Sequence, residues 1–120
     1  MSKILLIEDD LLIQKAVENK LRKDGFEVLC FNDGKDALPA FDSFNPDLIL
    51  TDMMLPTVSG LKILMSAKDH NPPFKVIVFS TLGQESVVEE AFILGADDYV
   101  TKPFSLVELS IRIKKQLKLL

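Results

Sequence analysis

The chain alternates short apolar runs with longer segments in which apolar residues recur every three or four positions. There are five runs, and the first four are rich in Ile, Val and Leu on both faces: KILLI (3–7), EVLCF (27–31), DLILT (47–51), KVIVFS (75–80) and the weaker DYVT (98–101). Strands that are apolar on both faces are typical of a parallel sheet covered by helices. The pattern therefore predicts five buried strands.

A helical stripe follows each of these runs. The clearest one closes the chain, where Leu and Ile repeat at steps of three and four from Leu106 to Leu120. The other four stripes run from Ile13 to Leu21, Ala37 to Phe44, Leu61 to Met65 and Val87 to Leu94. Pro39 falls early in the second of these and weakens the prediction of where that helix begins. Regular alternation predicts an α/β fold, a doubly wound (βα)5 parallel sheet with helices on both faces.

Capping residues agree with this division into elements. Asp10 precedes the first helix, and Ser105, with Glu108 three residues later, predicts a capping box at the start of the last. Gly25 and Gly95 follow the first and fourth helices, where glycine closes a helix most easily. These four helix ends are thus each marked by a residue that favours a helix boundary.

Composition narrows the class of protein. The 120 residues suit a single domain, 1–120, which could equally be part of a longer protein. A net charge of -4 gives no general affinity for nucleic acid, and no apolar run has the roughly 20 residues of a membrane span. The single cysteine, Cys30, is interpreted as a small apolar residue of a strand. We expect a cytoplasmic protein.

Polar residues that could do chemistry stand where the predicted strands end. Glu8 and Asp9 follow the first strand, Asp52 the third, Ser80 closes the fourth and Lys102 follows the fifth. In a doubly wound sheet, functional sites lie beyond the carboxyl ends of the strands. Taken singly, each residue could be a cap, a turn former or a surface charge. Together at one sheet edge they favour a functional site.

Such a site has the composition needed for phosphoryl transfer. Three carboxylates at close range repel one another unless a cation neutralises them, and an oxygen-only ligand set favours Mg2+ (or Mn2+) over Zn2+. With Lys102 as a second positive charge and Ser80 as a hydroxyl donor, Asp52 would be the nucleophile and form an aspartyl-phosphate.

The blocks ILLIEDD, LILTDMMLPTVSG, KVIVFST and GADDYVTKPF resemble, in order and spacing, those of the receiver domain of two-component response regulators. The resemblance implies a flavodoxin-like sheet with strand order 2-1-3-4-5. It also implies that Asp52 is the phosphoacceptor, that Asp9 binds the metal directly and Glu8 through water, and that the backbone carbonyl of Met54 is a third protein ligand. Lys102 matches the lysine of the family's motif.

The resemblance further implies a switch. Ser80 would move toward phosphorylated Asp52 and the Tyr99 ring would fill the space it leaves, although Tyr99 could equally be an ordinary strand aromatic with its hydroxyl at the surface. The face formed by the fourth helix, the fifth strand and the fifth helix would then change shape. The Lys102–Pro103 bond would be cis.

Some positions depart from the family's commonest pattern, beginning with Ser80, which keeps the hydroxyl of the more frequent threonine. Thr81 stands where alanine is usual, and the apolar side chains of Met54 and Leu82 flank the path of an attacking water. We expect the two apolar residues to slow hydrolysis of the phosphoryl group.

The resemblance also implies partners. The phosphodonor would be a sensor histidine kinase or a histidine phosphotransfer protein that docks on the first helix and on the loop after the fifth strand. Asp97 and Arg112 stand where related transcription factors place an intersubunit ion pair, which predicts a phosphorylation-promoted homodimer. An effector domain would lie outside this chain.

Three other functions agree less well with the sequence. A phosphohydrolase of the haloacid dehalogenase type would carry a second acid at the position of Met54, and a flavin mononucleotide carrier would need a hydroxyl- and glycine-rich loop after the first strand. A degenerate receiver, acting only as a protein-binding module, would lack part of the set Glu8, Asp9, Asp52, Ser80 and Lys102. The favoured interpretation is a phosphoacceptor switch rather than an enzyme.

Overall fold

The computed structural model describes residues 1–81 and 85–120. Five strands form one parallel sheet: β1 (Lys3–Ile7), β2 (Glu27–Phe31), β3 (Leu48–Asp52), β4 (Lys75–Thr81) and β5 (Asp98–Lys102). Their order across the sheet is β2-β1-β3-β4-β5, as expected for the predicted flavodoxin-like fold. The last three strands end one residue later than predicted, so Asp52, Thr81 and Lys102 belong to strands.

The helices are α1 (Leu11–Lys23), α2 (Gly34–Ala37), α3 (Ala40–Ser43), α4 (Gly60–Asp69), α5 (Glu85–Ile93) and α6 (Leu106–Gln116). The prediction of one second helix was wrong, because that segment is divided into α2 and α3. Pro39 has no N–H to bond the preceding turn, and the Phe41 N–H instead donates to the Leu38 carbonyl at 3.1 Å. The predicted fourth and fifth helices are therefore α5 and α6. Among the described residues, no helix combines the length and apolar character of a membrane span.

The sheet divides the core into two layers. Ile4 and Leu6 of β1 point to one face and Leu5 and Ile7 to the other, all with no exposed surface. The first face packs against α1 and α6, and the second against α2 to α5. Burying a side chain of this size contributes about 1.5–3 kcal/mol. Because helices cover both faces of the sheet, a solvent-accessible site built on the central strands has to lie at their ends.

The predicted helix N-caps and the two C-terminal glycines are confirmed. Asp10 accepts hydrogen bonds from two N–H groups in the first turn of α1, and Ser105 Oγ accepts one from the Glu108 N–H at 3.3 Å. Gly25 and Gly95 have φ of +93° and +105°, values that only glycine adopts easily. These caps fix where each helix meets its strand, and hence which residues are left at the sheet edge.

Candidate functional site

The strand order reverses between β1 and β3, because the chain passes from β1 to one side of the sheet and continues from β3 to the other. Such a reversal leaves a crevice at the carboxyl ends of the two strands. Glu8 follows β1 directly and Asp52 is the last residue of β3. The two acids therefore flank the crevice from neighbouring strands.

Three carboxylates meet at this crevice. One oxygen each from Glu8, Asp9 and Asp52 lies within 4.8 Å of the others. Glu8 has no exposed surface, Asp52 is 7% exposed, and Asp9 is exposed. The cluster thus has a buried floor and an open rim.

Lys102 reaches this cluster from the edge of the sheet. Its side chain extends from β5 across β4, and Nζ lies 5.8 Å from the centroid of the buried Phe79 ring. Phe79 of β4 is the residue paired with Asp52 of β3 in the strand register. Nζ donates a hydrogen bond to Glu8 Oε1 at 2.5 Å and another to Asp52 Oδ2. The Lys102–Pro103 peptide bond is cis. The structure therefore brings together four of the predicted site residues.

Burial and charge set the electrostatics of the site. Burial raises the pKa of Glu8 from 4.5 to about 7, and repulsion from Asp52 adds to the effect while the hydrogen bond from Lys102 opposes it. For Lys102, burial alone would lower the pKa, but its hydrogen bonds to Asp52 and Glu8 outweigh burial and raise it. The ammonium group is thus held charged between acids that repel one another.

The backbone beyond Asp52 is packed tightly against the start of α4. The Met54 N–H donates to Asp52 Oδ1 at 2.9 Å, and the Gly60 N–H donates to the Met53 carbonyl at 3.1 Å. A Cβ atom at Gly60 would lie 2.1 Å from the Asp52 carbonyl oxygen. Gly60 therefore permits an approach of α4 to the Asp52 backbone that no other residue would allow.

The two consecutive methionines at this turn have different surroundings. Met53 is 2% exposed and belongs to the core, whereas Met54 is 62% exposed. The Met54 side chain therefore lies at the surface beside the acidic cluster. The ligand role of its carbonyl stays a prediction.

Ser80 and Tyr99 lie on adjacent strands. Ser80 is 2% exposed and is paired with Thr101, while Tyr99 is 37% exposed and is paired with Val78. The Tyr99 ring packs edge-on against Phe92 of α5, with a centroid distance of 5.4 Å. Tyr99 thus lies at the surface, as an ordinary strand aromatic would. The switch roles of both residues stay predictions.

Thr81 closes β4 with an exposed side chain. Leu82, the second residue expected to slow hydrolysis, lies outside the described residues.

The structure gives the two predicted dimer residues partners within the chain. The Asp97 carboxylate accepts hydrogen bonds from Lys68 Nζ at 2.7 Å and from the Val76 N–H at 2.8 Å. Arg112 binds the neighbouring acid, Asp98, with NH1–oxygen distances of 2.9 and 3.0 Å. An intersubunit pair between Asp97 and Arg112 would therefore have to replace existing contacts.

The predicted capping box at Ser105 and Glu108 is only half formed, because Arg112 binds the Glu108 side chain. Glu108 donates its N–H to Ser105, but its carboxylate accepts a hydrogen bond from Arg112 Nε at 3.1 Å. A guanidinium one turn away on the same helix face offers a charged partner for this carboxylate.

Sequence reasoning did not identify Gln14. Its side-chain amide donates hydrogen bonds to the carbonyls of Glu8, at 2.9 Å, and Phe31, at 3.1 Å. Gln14 lies next to the apolar stripe of α1, where a polar residue carries no distinguishing pattern. Only its position one turn beyond the acidic turn at residues 8–10 could have drawn attention to it.

Comparison with known proteins identifies the family. The sequence profile of the response regulator receiver domain matches residues 4–114. The chain belongs to this family.

Among its relatives, it is 39% identical over 112 residues to the response regulator RR06 of Streptococcus pneumoniae, covering 92% of this chain and 51% of that protein. It is 33% identical over 116 residues to the transcriptional regulatory protein PhoP of Bacillus subtilis, covering 97% and 48%. With the regulatory protein AtoC of Escherichia coli, the identity is 32% over 119 residues, covering 99% and 26%. The chain thus spans about half or less of the length of these relatives.

Solved structures agree with this family. The receiver domain of the Francisella response regulator 1452 has a TM-score of 0.90 and 34% identity, covering 98% of each chain. The receiver domain of NtrX from Brucella abortus has a TM-score of 0.90 and 28% identity, covering 96% of this chain and 98% of that one. These similarities confirm the flavodoxin-like receiver fold.

Proposed function

We propose that this chain is a phosphorylation-activated switch in which Asp52 accepts a phosphoryl group from a sensor histidine kinase or a histidine phosphotransfer protein. The observation that carries the proposal is the meeting of Glu8, Asp9 and Asp52 with Lys102 at the crevice, in a chain of this family. A phosphoacceptor needs a carboxylate that a phosphoryl group can reach and fixed positive charge beside it.

In the reaction, an Asp52 oxygen attacks the phosphorus of a phosphohistidine. The O–P bond forms, the P–N bond breaks, and its electron pair stays on the imidazole nitrogen of the donor. Lys102 would exchange part of its contact with Asp52 for a phosphoryl oxygen, and Ser80 would donate its hydroxyl hydrogen to another. Because the chain acts on itself and not on a free substrate, it is a switch rather than a conventional enzyme.

The site is suited to Mg2+ or Mn2+. Glu8, Asp9 and Asp52 offer only oxygen atoms, the ligands that hard divalent cations prefer, and Asp9 is exposed enough for the ion to keep bound water. We assign Asp9, Asp52 and the Met54 carbonyl as direct protein ligands and Glu8 as a ligand through water. When bound, the cation would neutralise the acids and the incoming phosphoryl charge.

The output would pass through the face formed by α5, β5 and α6. Movement of Ser80 toward the phosphoryl group would let the Tyr99 ring leave Phe92 and turn inward, as one of two pre-existing states becomes favoured. We propose that this face then forms a homodimer in which Asp97 and Arg112 exchange partners. The effector would lie beyond this receiver domain of residues 1–120, since related regulators are longer.

The kinase would dock on α1 and the loop after β5. A largely apolar cavity of about 220 Å3 lies between these elements, lined by residues that include Ile13, Ala16, Pro103 and Phe104. Leu12, at the start of α1, is 84% exposed. We place the protein in the cytoplasm and assign this domain no direct contact with nucleic acid.

The test is incubation with acetyl phosphate and Mg2+, followed by intact-protein mass spectrometry. We expect one phosphoryl adduct in the wild type and none in Asp52→Asn. Asp47→Asn is the matched control, because Asp47 immediately precedes β3, at the opposite end from Asp52, and its side chain is exposed. An unmodified wild type would favour a degenerate, protein-binding receiver, and an adduct that persists in Asp52→Asn would move the acceptor to another residue.

A further inference from the structure

The side chain of Gln14 closes the hydrogen-bond pattern of the sheet at the point where β1 ends. The Glu8 N–H donates to the Phe31 carbonyl at 3.0 Å, which adds one bond beyond the last register pair of β1 and β2. Gln14 Nε2 then donates to the same Phe31 carbonyl at 3.1 Å and to the Glu8 carbonyl at 2.9 Å. A side-chain amide has two N–H donors, so both are used on backbone carbonyls beside the acidic cluster.

The bond to the Glu8 carbonyl also controls Asp9. A peptide unit is planar, so the Glu8 carbonyl oxygen, the Asp9 nitrogen and the Asp9 Cα move as one rigid group. Fixing the carbonyl oxygen therefore fixes the direction in which Asp9 leaves the strand. Rotation of this plane would displace the exposed Asp9 carboxylate and change the backbone from which the buried Glu8 side chain extends.

The other side of the same turn is held by α1. The Gln14 N–H donates to the Asp10 carbonyl at 2.9 Å, and the Asp10 N–H approaches Glu8 Oε2 at 3.4 Å. Gln14 thus binds the acidic turn through its backbone and through its side chain.

The surrounding elements do not depend on this amide. Strands β1 and β2 are already paired at five positions, and α1 is anchored by Val17 and Leu21, which have no exposed surface. The short turn at residues 8–10, which carries the proposed ligands Glu8 and Asp9, is by contrast held by these polar contacts with Gln14 and Asp10.

We propose that Gln14 is a positioning residue that orients Glu8 and Asp9 toward a divalent cation. This inference rests on the proposed function. It goes further by assigning control over cation affinity to a neutral side chain whose Nε2 binds backbone carbonyls.

The test uses Mn2+ alone as the probe, with free Mn2+ followed by electron paramagnetic resonance. Gln14→Met keeps the length of the side chain and its helix propensity but removes both donors. We expect the Kd for Mn2+ to rise about 10-fold, the effect typical of removing a group that orients a metal ligand. Gln116→Met is the matched control. Gln116 also lies in a helix and its Nε2 donates to the Asp97 carbonyl at 3.3 Å. Asp97 immediately precedes β5, so this contact lies at the end of the strands opposite the acidic cluster. The Kd of this variant should change less than twofold.

Urea unfolding without metal separates positioning from simple stabilisation. Each variant loses contact with backbone carbonyls, so a modest loss of stability is expected in both. A Gln14→Met protein that is folded and less stable but binds Mn2+ like the wild type would overturn the positioning role alone. A wild type that binds neither Mn2+ nor Mg2+ would overturn the proposed function together with this inference.

A measurement on the wild type covers the case in which Gln14→Met fails to fold. In nuclear magnetic resonance spectra, the side-chain amide signals of Gln14 should shift during titration with Mg2+, while those of Gln116 should not. Equal, negligible shifts for the two glutamines would refute the proposal.

Discussion

Replacing Glu8 by glutamine should make the metal-free protein more stable at alkaline pH. Glu8 has no exposed surface, and burial, with repulsion from Asp52, raises its pKa to about 7. In the unfolded chain the same carboxyl has its ordinary pKa of 4.5. Between these values the folded state holds a proton that the unfolded state has lost, so stability falls as the pH rises through this window.

The size of this effect follows from the two pKa values. A difference between 4.5 and about 7 corresponds to about 3 kcal/mol of stability, all of it present below pH 4.5 and lost above about pH 7. About 2 kcal/mol of this should be lost between about pH 5.5 and about pH 8.5. Glutamine cannot ionise, so Glu8→Gln should not show this loss, and its advantage over the wild type should grow by the same amount.

The assay is urea unfolding of both proteins in EDTA at several pH values, followed by far-ultraviolet circular dichroism. Glu27→Gln serves as the control, because Glu27 is exposed at the start of β2 and its replacement should change stability by no more than about 0.5 kcal/mol at any pH. EDTA is needed because a bound cation would stabilise the ionised carboxylate and mask the effect. A stability difference between Glu8→Gln and the wild type that does not vary with pH would refute the reasoning.

Three further changes test other parts of the structure. Gly60→Ala forces a methyl group against the Asp52 carbonyl, so it should lower the free energy of unfolding by about 1–3 kcal/mol and abolish most phosphorylation by acetyl phosphate. Gly25→Ala is the control: Gly25 has φ +93° with open space around it, so the substitution should lower the free energy of unfolding by about 1–2 kcal/mol but leave phosphorylation unchanged. Ser110→Ala removes the hydroxyl bound to Asp24, the main cause of the lowered pKa of that carboxyl, so in urea unfolding it should cost about 1.5–3 kcal/mol near neutral pH and less as the pH falls below 3.8. Met54→Asn replaces an exposed apolar side chain with one that can hydrogen-bond an attacking water. The phosphorylated variant should therefore lose its phosphoryl group faster than the wild type, as followed by intact-protein mass over time. An unchanged rate would show that Met54 does not control hydrolysis.

The sequence predicts the sheet well because burial on both faces leaves a continuous apolar signal. Each of the five predicted strands exists, and their ends differ from the predicted ends by no more than one residue. The second helical segment was harder, because its apolar stripe from Ala37 to Phe44 is real but Pro39 interrupts the backbone hydrogen bonds beneath it. Side-chain periodicity reports which face is buried and says nothing about a missing N–H.

Long-range polar partners were predicted less well than strand ends. Lys102 was expected near Asp52, and the structure adds that it also binds Glu8. The Asp97 carboxylate, by contrast, binds Lys68, which lies 29 positions away in the sequence. A surface acid has several basic residues within reach of the folded chain, and neither charge pattern nor spacing selects among them.

The contacts of Gln14 show why positioning residues are the hardest part of a site to predict. A catalytic carboxylate or lysine must have a particular chemistry, so its residue type and its place at a strand end are informative together. A residue that holds a backbone carbonyl needs only an N–H or O–H donor at the right distance, and many side chains supply one. Which donor is used depends on the distance from α1 to the end of β1, a quantity set by the packing of Val17 and Leu21 against the sheet. The acids at the strand ends can therefore be predicted from local sequence, whereas the groups that orient them follow only from the packed structure.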